Sequence, residues 1–162
     1  MNNNLKTGKL GIELIKHYES CDLNAYYCPS RIPTIGWGHT GMVGGKPIIV
    51  GTTKITQQKA DELFVNDITS FEAKIKRLVK VPLNQNQFDA LVSFIYNAGE
   101  GNLASSTALK LLNQGKYSEV SAKLALFNKG NVKGKLTVLQ GLVFRRKTEG
   151  LVFSTGQLKF FN

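Results

Sequence analysis

Seven apolar side chains, Leu63, Phe64, Ile68, Phe71, Ile75, Leu78 and Val79, keep to one face of a helix that begins near Thr56 and is stopped by Pro82. Helices of such length commonly join two lobes, so the chain is expected to divide around this one. The flanking segments differ in character, which supports the division.

On the N-terminal side, Leu10, Leu14 and Tyr18 recur four apart with Ile15 beside them, predicting a helix from near Thr7 to near Ser20. Tyr, Ile and Thr then dominate, punctuated by Pro29 and Pro33, and short strands are expected over residues 25–28 and 34–38. Gly41, Gly44, Gly45, Pro47 and Gly51 predict a loop or a third short strand. On the C-terminal side the pattern is helical. Phe88, Leu91, Val92, Ile95 and Tyr96 mark a core helix capped by Asn84 and stopped by Gly99. Ser105 or Ser106 caps a shorter helix that Gly115 ends, and Ser118 caps another carrying Val120, Leu124 and Phe127. Residues 129–135 read as a loop, and a last helix covers 141–153. The expected fold is α+β and mostly helical. A small β-lobe spans about 21–55, and a larger helical lobe spans about 80–162 with the N-terminal helix, the strands being confined to the first lobe.

At 162 residues the chain can bury a core without staples, so its two cysteines, Cys21 and Cys28, need no structural disulfide. They could bridge across the intervening turn, but two free thiols are the simpler expectation, the cytoplasm being reducing. No apolar run approaches the ~18 residues of a membrane span, and Lys9, Glu13 and Lys16 interrupt any signal-peptide core. The net charge is +10, and from Gly101 onward ten Lys/Arg face two acids, Glu119 and Glu149. Such a field attracts polyanions, whether nucleic acid, anionic lipid or acidic wall polymer. Residues 88–112 resemble a helix-turn-helix in outline, but the would-be reading helix offers only Lys110, so no nucleic-acid partner is expected. His17, Cys21, Cys28 and His39 have the residue types of a zinc site without its short ligand spacings, and no metal is expected. Cys28 with His39 or His17 could form a peptidase dyad, but His39 lies in a glycine turn where holding the loop is its plainer role.

Hydrolysis of a glycosidic bond needs a proton donor for the leaving oxygen and a group on the opposite face that attacks or activates water. Glu19, one turn beyond Ile15 at a helix end, sits where apolar neighbours disfavour ionisation, as an acid catalyst requires. Cys28 and Thr34 follow nine and fifteen residues later, where a hairpin can fold them back over Glu19. The pattern of Glu19, Cys28 and Thr34, followed at once by Ile35, Gly36, Trp37, Gly38, His39 and Thr40, resembles the catalytic signature of the phage-type lysozymes, glycoside hydrolase family 24. The resemblance continues through Phe88 to Phe94, the run Tyr96, Asn97, Ala98, Gly99, the pair Ser106 and Thr107, and Gly141 to Glu149 with Arg145 and Arg146.

The resemblance implies a muramidase that cleaves the β-1,4 bond between N-acetylmuramic acid and N-acetylglucosamine in peptidoglycan, in a cleft between the two lobes. Glu19 would be the general acid, Cys28 would face the other side of the sugar, and Thr34 would hold the attacking water. His39, Asn97, Ser106, Thr107 and Arg145 would contact substrate, with Arg145 also pairing with Glu19. Cysteine stands where aspartate is commoner, which leaves a retaining or an inverting outcome open. An unperturbed thiol, with a pKa of ~8.5, replaces a carboxylate poorly unless a neighbour lowers it. Phe144 and Phe127 occupy places where relatives tend to have a polar residue and a tryptophan. No cofactor is implied. The enzyme is expected to be a monomer that stays in the host cytoplasm until a partner holin opens the membrane, then acts in the periplasm, with the basic C-terminal third drawn to the anionic envelope.

Overall fold

A computed structural model describes Met1–Asn162. The chain forms two compact units, Lys16–Thr69 and Met1–Ile15 together with Ser70–Asn162, and the boundaries fall inside two helices, α1 (Lys9–Tyr18) and α2 (Gln57–Leu78).

The smaller unit carries an antiparallel sheet of β1 (Asp22–Tyr27), β2 (Pro33–Gly36) and β3 (His39–Thr40), followed by a two-stranded ribbon of β4 (Met42–Val43) and β5 (Lys46–Pro47). Tyr26 pairs with Thr34 and Tyr27 with Pro33, while the register breaks between Asp22 and Tyr26. Ala25, Ile35, Ile48 and Leu63 form its core, with Val43, Val50 and Ile55 against them. Gly36, Gly38 and Gly41 all take positive φ, a conformation that side chains resist, which explains why the turn after β2 is built from glycine.

The larger unit is organised on α3 (Gln85–Ala98), whose residues Phe88 through Ile95 are all buried. A helix buried on every side must be apolar all round or satisfy its polar exceptions internally. Asp89 and Ser93 are those exceptions, and both are bonded. Asn84 caps α3 and Gln87 completes the reciprocal capping box, while Gly99 closes its C-terminus. Then come α4 (Glu100–Ala104), α5 (Thr107–Asn113), a 3-10 turn (Tyr117–Glu119) and α6 (Val120–Leu124). The last helix, α7 (Gln140–Thr155), packs along α3.

One open alternative is settled and two expectations are corrected. Of the two candidate caps, Ser106 caps α5, its hydroxyl accepting from the Leu109 N–H. Ser118 caps nothing, because it lies within the 3-10 turn and α6 begins without a side-chain cap. The expected loop 129–135 is the start of a hairpin, β6 (Lys129–Val132) and β7 (Lys135–Val138), so strands occur in the larger unit too. Lys133 and Gly134, its two central residues, have φ of 50° and 81°, the double positive that a type I′ turn demands.

Candidate active site

Glu19 is the first residue beyond α1 and is half-buried. Its position follows from the helix stopping at Tyr18, which leaves the carboxyl at a chain reversal before β1. Nine residues on, Cys28 follows directly on β1, and a tight turn returns the chain, with the Cys28 N–H donating to the Ile32 carbonyl at 3.1 Å and the Arg31 N–H to the Cys28 carbonyl at 2.8 Å. Thr34 then enters β2, where it is only 3% exposed.

Cys28 and Thr34 adjoin a side chain that sequence reading passed over, Tyr26, which lies within electrostatic reach of Glu19. Paired residues of antiparallel strands project on one face, so Tyr26 and Thr34 lie together, and Cys28, two residues on from Tyr26, shares the face. Burial foremost, and then the negative charges of Glu19, Asp22, Cys28 and Cys21, push the Tyr26 phenol above its ordinary range. The phenol thus senses both Glu19 and Cys28. The signal in the sequence was the two-residue alternation of Tyr26 and Cys28, but the register that makes it meaningful is a property of the hairpin.

The thiol is tuned. Partial burial alone would raise Cys28, yet hydrogen bonds from the Ile32 and Ser30 backbone and from the Thr34 hydroxyl outweigh it and hold the thiol below the usual cysteine range. The Thr34 hydroxyl also donates to the Ile32 carbonyl at 2.9 Å. Having one hydrogen, it serves sulfur and carbonyl by turns. The neighbour that a thiol needs in order to stand in for a carboxylate is therefore present, and Cys21 and Cys28 are both free thiols.

The remaining predicted residues divide. His39 belongs to the same unit, with Nδ1 2.8 Å from Asp67 Oδ2 and Nε2 3.0 Å from the Met42 carbonyl, so its ring ties β3 to α2 and to the glycine turn. No cluster of three or more His, Cys, Asp or Glu side chains is placed to hold a metal ion. Trp37 donates to Asp61 at 2.8 Å, and the Lys16 ammonium lies 4.7 Å from the Trp37 ring centre.

Asn97, Ser106, Thr107 and Arg145 belong to the larger unit. Asn97 is exposed near the end of α3. Ser106 and Thr107 line a cavity of about 320 Å³ with Ser105, Lys123, Leu126 and Phe127, although the Ser106 hydroxyl is already engaged as a cap. Arg145 is buried, its Nε donating to Glu149 at 3.1 Å and a terminal nitrogen to the Ser93 carbonyl at 3.1 Å.

The family model described as Phage lysozyme matches residues 16–149, most of the chain and every residue named above in both units. The endolysin of Acyrthosiphon pisum secondary endosymbiont phage 1 is 40% identical over 145 residues, 90% of this chain and 95% of that protein. The endolysin of Bacillus phage B103 is 38% identical over 157 residues, and the match spans 56% of its length. Among solved structures, the endolysin from Escherichia coli O157:H7 phage FAHEc1 superposes with a TM-score of 0.86 at 34% identity, covering 98% of this chain and 99% of that one. Read with the arrangement of Glu19, Cys28 and Thr34 in the smaller unit, these matches lead to one conclusion: the chain belongs to the phage lysozyme family of glycoside hydrolases.

Proposed function

We propose that the chain is a muramidase that hydrolyses the β-1,4 bond between N-acetylmuramic acid and N-acetylglucosamine in bacterial peptidoglycan, so that the host cell lyses. The observation that supports this reading is the match of the phage lysozyme family over residues 16–149, within which Glu19, Cys28 and Thr34 all fall, with Thr34 paired to Tyr26 across the hairpin.

In the proposed reaction Glu19 protonates the bridging oxygen as the bond to the anomeric carbon breaks. Cys28 acts on the opposite face, as a thiolate that takes a proton from water while Thr34 orients that water. The water oxygen bonds to the anomeric carbon, which gives an inverted product. If sulfur itself attacks, a thioglycoside forms first and its hydrolysis restores the configuration. The lowered thiol range favours either role over that of a bystander. Arg145 is assigned to Glu19 as its partner charge, and Asn97, Thr107 and Ser106 to the sugar and peptide of the substrate. His39 contributes by holding the glycine turn.

The test compares wild type, Glu19→Gln and Cys28→Ala on purified peptidoglycan, following reducing ends, free amines and the product anomer in time. The proposal expects reducing ends without new amines, near-complete loss in Glu19→Gln, and a loss well beyond a few-fold in Cys28→Ala. Undiminished activity in Glu19→Gln overturns it, and new amines would make the protein a peptidase or amidase. Access to the wall is proposed to follow a holin-type lesion, as the family resemblance implies; no helix of the chain is long and apolar enough to cross a membrane. The enzyme is proposed to act as a monomer, for which sedimentation in solution is the check.

A further inference from the structure

We infer that the β6–β7 hairpin is a docking element for an anionic phospholipid surface. The hairpin forms a two-stranded sheet with no third strand. Its register is Lys129 with Val138, Gly130 with Thr137, Asn131 with Leu136 and Val132 with Lys135. Partners share a face, so Lys129, Val138, Asn131 and Leu136 stand on one side. The other side turns toward Leu139 at Gly130, where a Cβ would come within 2.6 Å of a Leu139 methyl.

The first side has no cover. Leu136 is 68% exposed and Val138 52%, far more than a short strand needs to exist. Lys129 is exposed on the same side, Lys133 is exposed in the turn and Lys135 on the opposite side, and no acid occurs in the sequence between Glu119 and Glu149. Exposed apolar side chains with lysines beside them on a hairpin combine the two attractions that hold a protein at an anionic bilayer, burial in the headgroup boundary and attraction to its phosphates. A polyanion without an apolar layer, such as a nucleic acid or a wall polymer, would satisfy the lysines and leave Leu136 and Val138 in water. A second copy pairing edge to edge is opposed by the lysines on both strands. This inference does not depend on the glycosidase reading, because binding is measured without substrate.

The experiment is co-sedimentation of the full chain with vesicles of phosphatidylglycerol and phosphatidylethanolamine, against vesicles of phosphatidylcholine alone, at low and at high salt. Binding to the anionic vesicles only, weakened by salt, is expected. Replacing Lys133 by Gln should cost about fivefold in partitioning, the scale for one lysine at such a surface. The pair Leu136→Ser and Val138→Ser leaves the charge unchanged and should still weaken binding several-fold, which charge attraction alone cannot explain. These are exposed positions, where substitution rarely threatens folding, and an unchanged melting temperature for each variant verifies that. Lysis of purified peptidoglycan should be the same in all of them, so failure of the docking and failure of the hydrolase are separable. Equal binding by the Leu136 and Val138 variant overturns the lipid assignment in favour of a plain polyanion surface. Equal binding by Lys133→Gln, or to phosphatidylcholine, removes the hairpin from any role in docking.

Discussion

Two carboxylates, Glu149 within α7 in the larger unit and Glu19 just beyond α1 in the smaller, differ in what surrounds them. Glu149 is wholly buried; Ser93 Oγ donates to it at 2.7 Å, Arg145 Nε at 3.1 Å and an Arg146 terminal nitrogen at 3.0 Å. Arg146 Nε also approaches its other oxygen to 2.7 Å, an ion-pair contact without hydrogen-bond alignment, while the same guanidinium sits 4.7 Å over the Phe94 ring. Glu19 is half-buried, within electrostatic reach of the Tyr26 phenol. Burial among cations converts a carboxylate into part of the fold. Partial exposure just beyond a helix leaves one within reach of a substrate.

The largest effects should therefore fall on different observables. Glu19→Gln should lower kcat about 10²–10⁴-fold, the range for general acid catalysis, with the melting temperature unchanged. Glu149→Gln should cost about 3–5 kcal/mol of stability, because it removes the charged carboxylate that the buried Arg145 and Arg146 guanidiniums share in a dry interior. Activity surviving in the first variant, or full stability in the second, breaks the contrast. Parallel lytic assays and urea melts on the two proteins decide it.

A third carboxylate sharpens the point. Asp89, 1% exposed, accepts from the backbone N–H groups of Gly8 at 2.9 Å and Gly11 at 3.1 Å and from the Gln85 amide, so it holds the start of α1 without any cation. A Cβ at Gly11 would come 2.8 Å from the Asp89 carboxyl carbon, which is why glycine stands there. Asp89→Ala should cost about 1–3 kcal/mol, less than Glu149→Gln. Burial above all raises its pKa, with the Gly8, Gln85 and Gly11 hydrogen bonds acting the other way and Glu72 adding repulsion. A carboxyl raised in the fold contributes stability that is present below its unfolded pKa of about 3.9 and lost as pH rises through the folded value. The stability advantage of wild type over Asp89→Asn should thus shrink as pH rises, which denaturant melts across the acid range would detect.

How far these roles were legible depended on how local their chemistry is. The α3 boundaries could be read because a cap and a stop act within a few residues, Asn84 with Gln87 at one end and Gly99 at the other. The stripe of α2 was equally plain. The β6–β7 hairpin escaped because it is exposed nearly throughout, so no buried face imposes an alternation, and because its turn begins with Lys133 rather than the Asn or Asp that usually announces one. The five residues of α4 are too few to show a period. In the smaller unit, the acid, thiol and hydroxyl could be picked out by spacing and resemblance. Tyr26 could not, since its place among them depends on a register that slips between Asp22 and Tyr26.

The smallest effect tests the tuning of the thiol. Thr34→Val keeps the shape of the side chain and removes the hydroxyl that helps hold Cys28 low, but the Ile32 and Ser30 contributions remain. In a Cys21→Ser background, the midpoint of iodoacetamide alkylation against pH should rise toward the ordinary cysteine range. A thiol depressed in the fold contributes stability present above its unfolded pKa and lost as pH falls through the folded one. The valine variant should therefore lose a little stability at alkaline pH and none at acid pH. If the thiolate is the working form of Cys28, the rising limb of the lytic pH profile must move with the alkylation midpoint. A limb that stays in place while the midpoint moves would mean that the sulfur is tuned by its surroundings without taking part in the reaction, and Thr34 would then act on water alone.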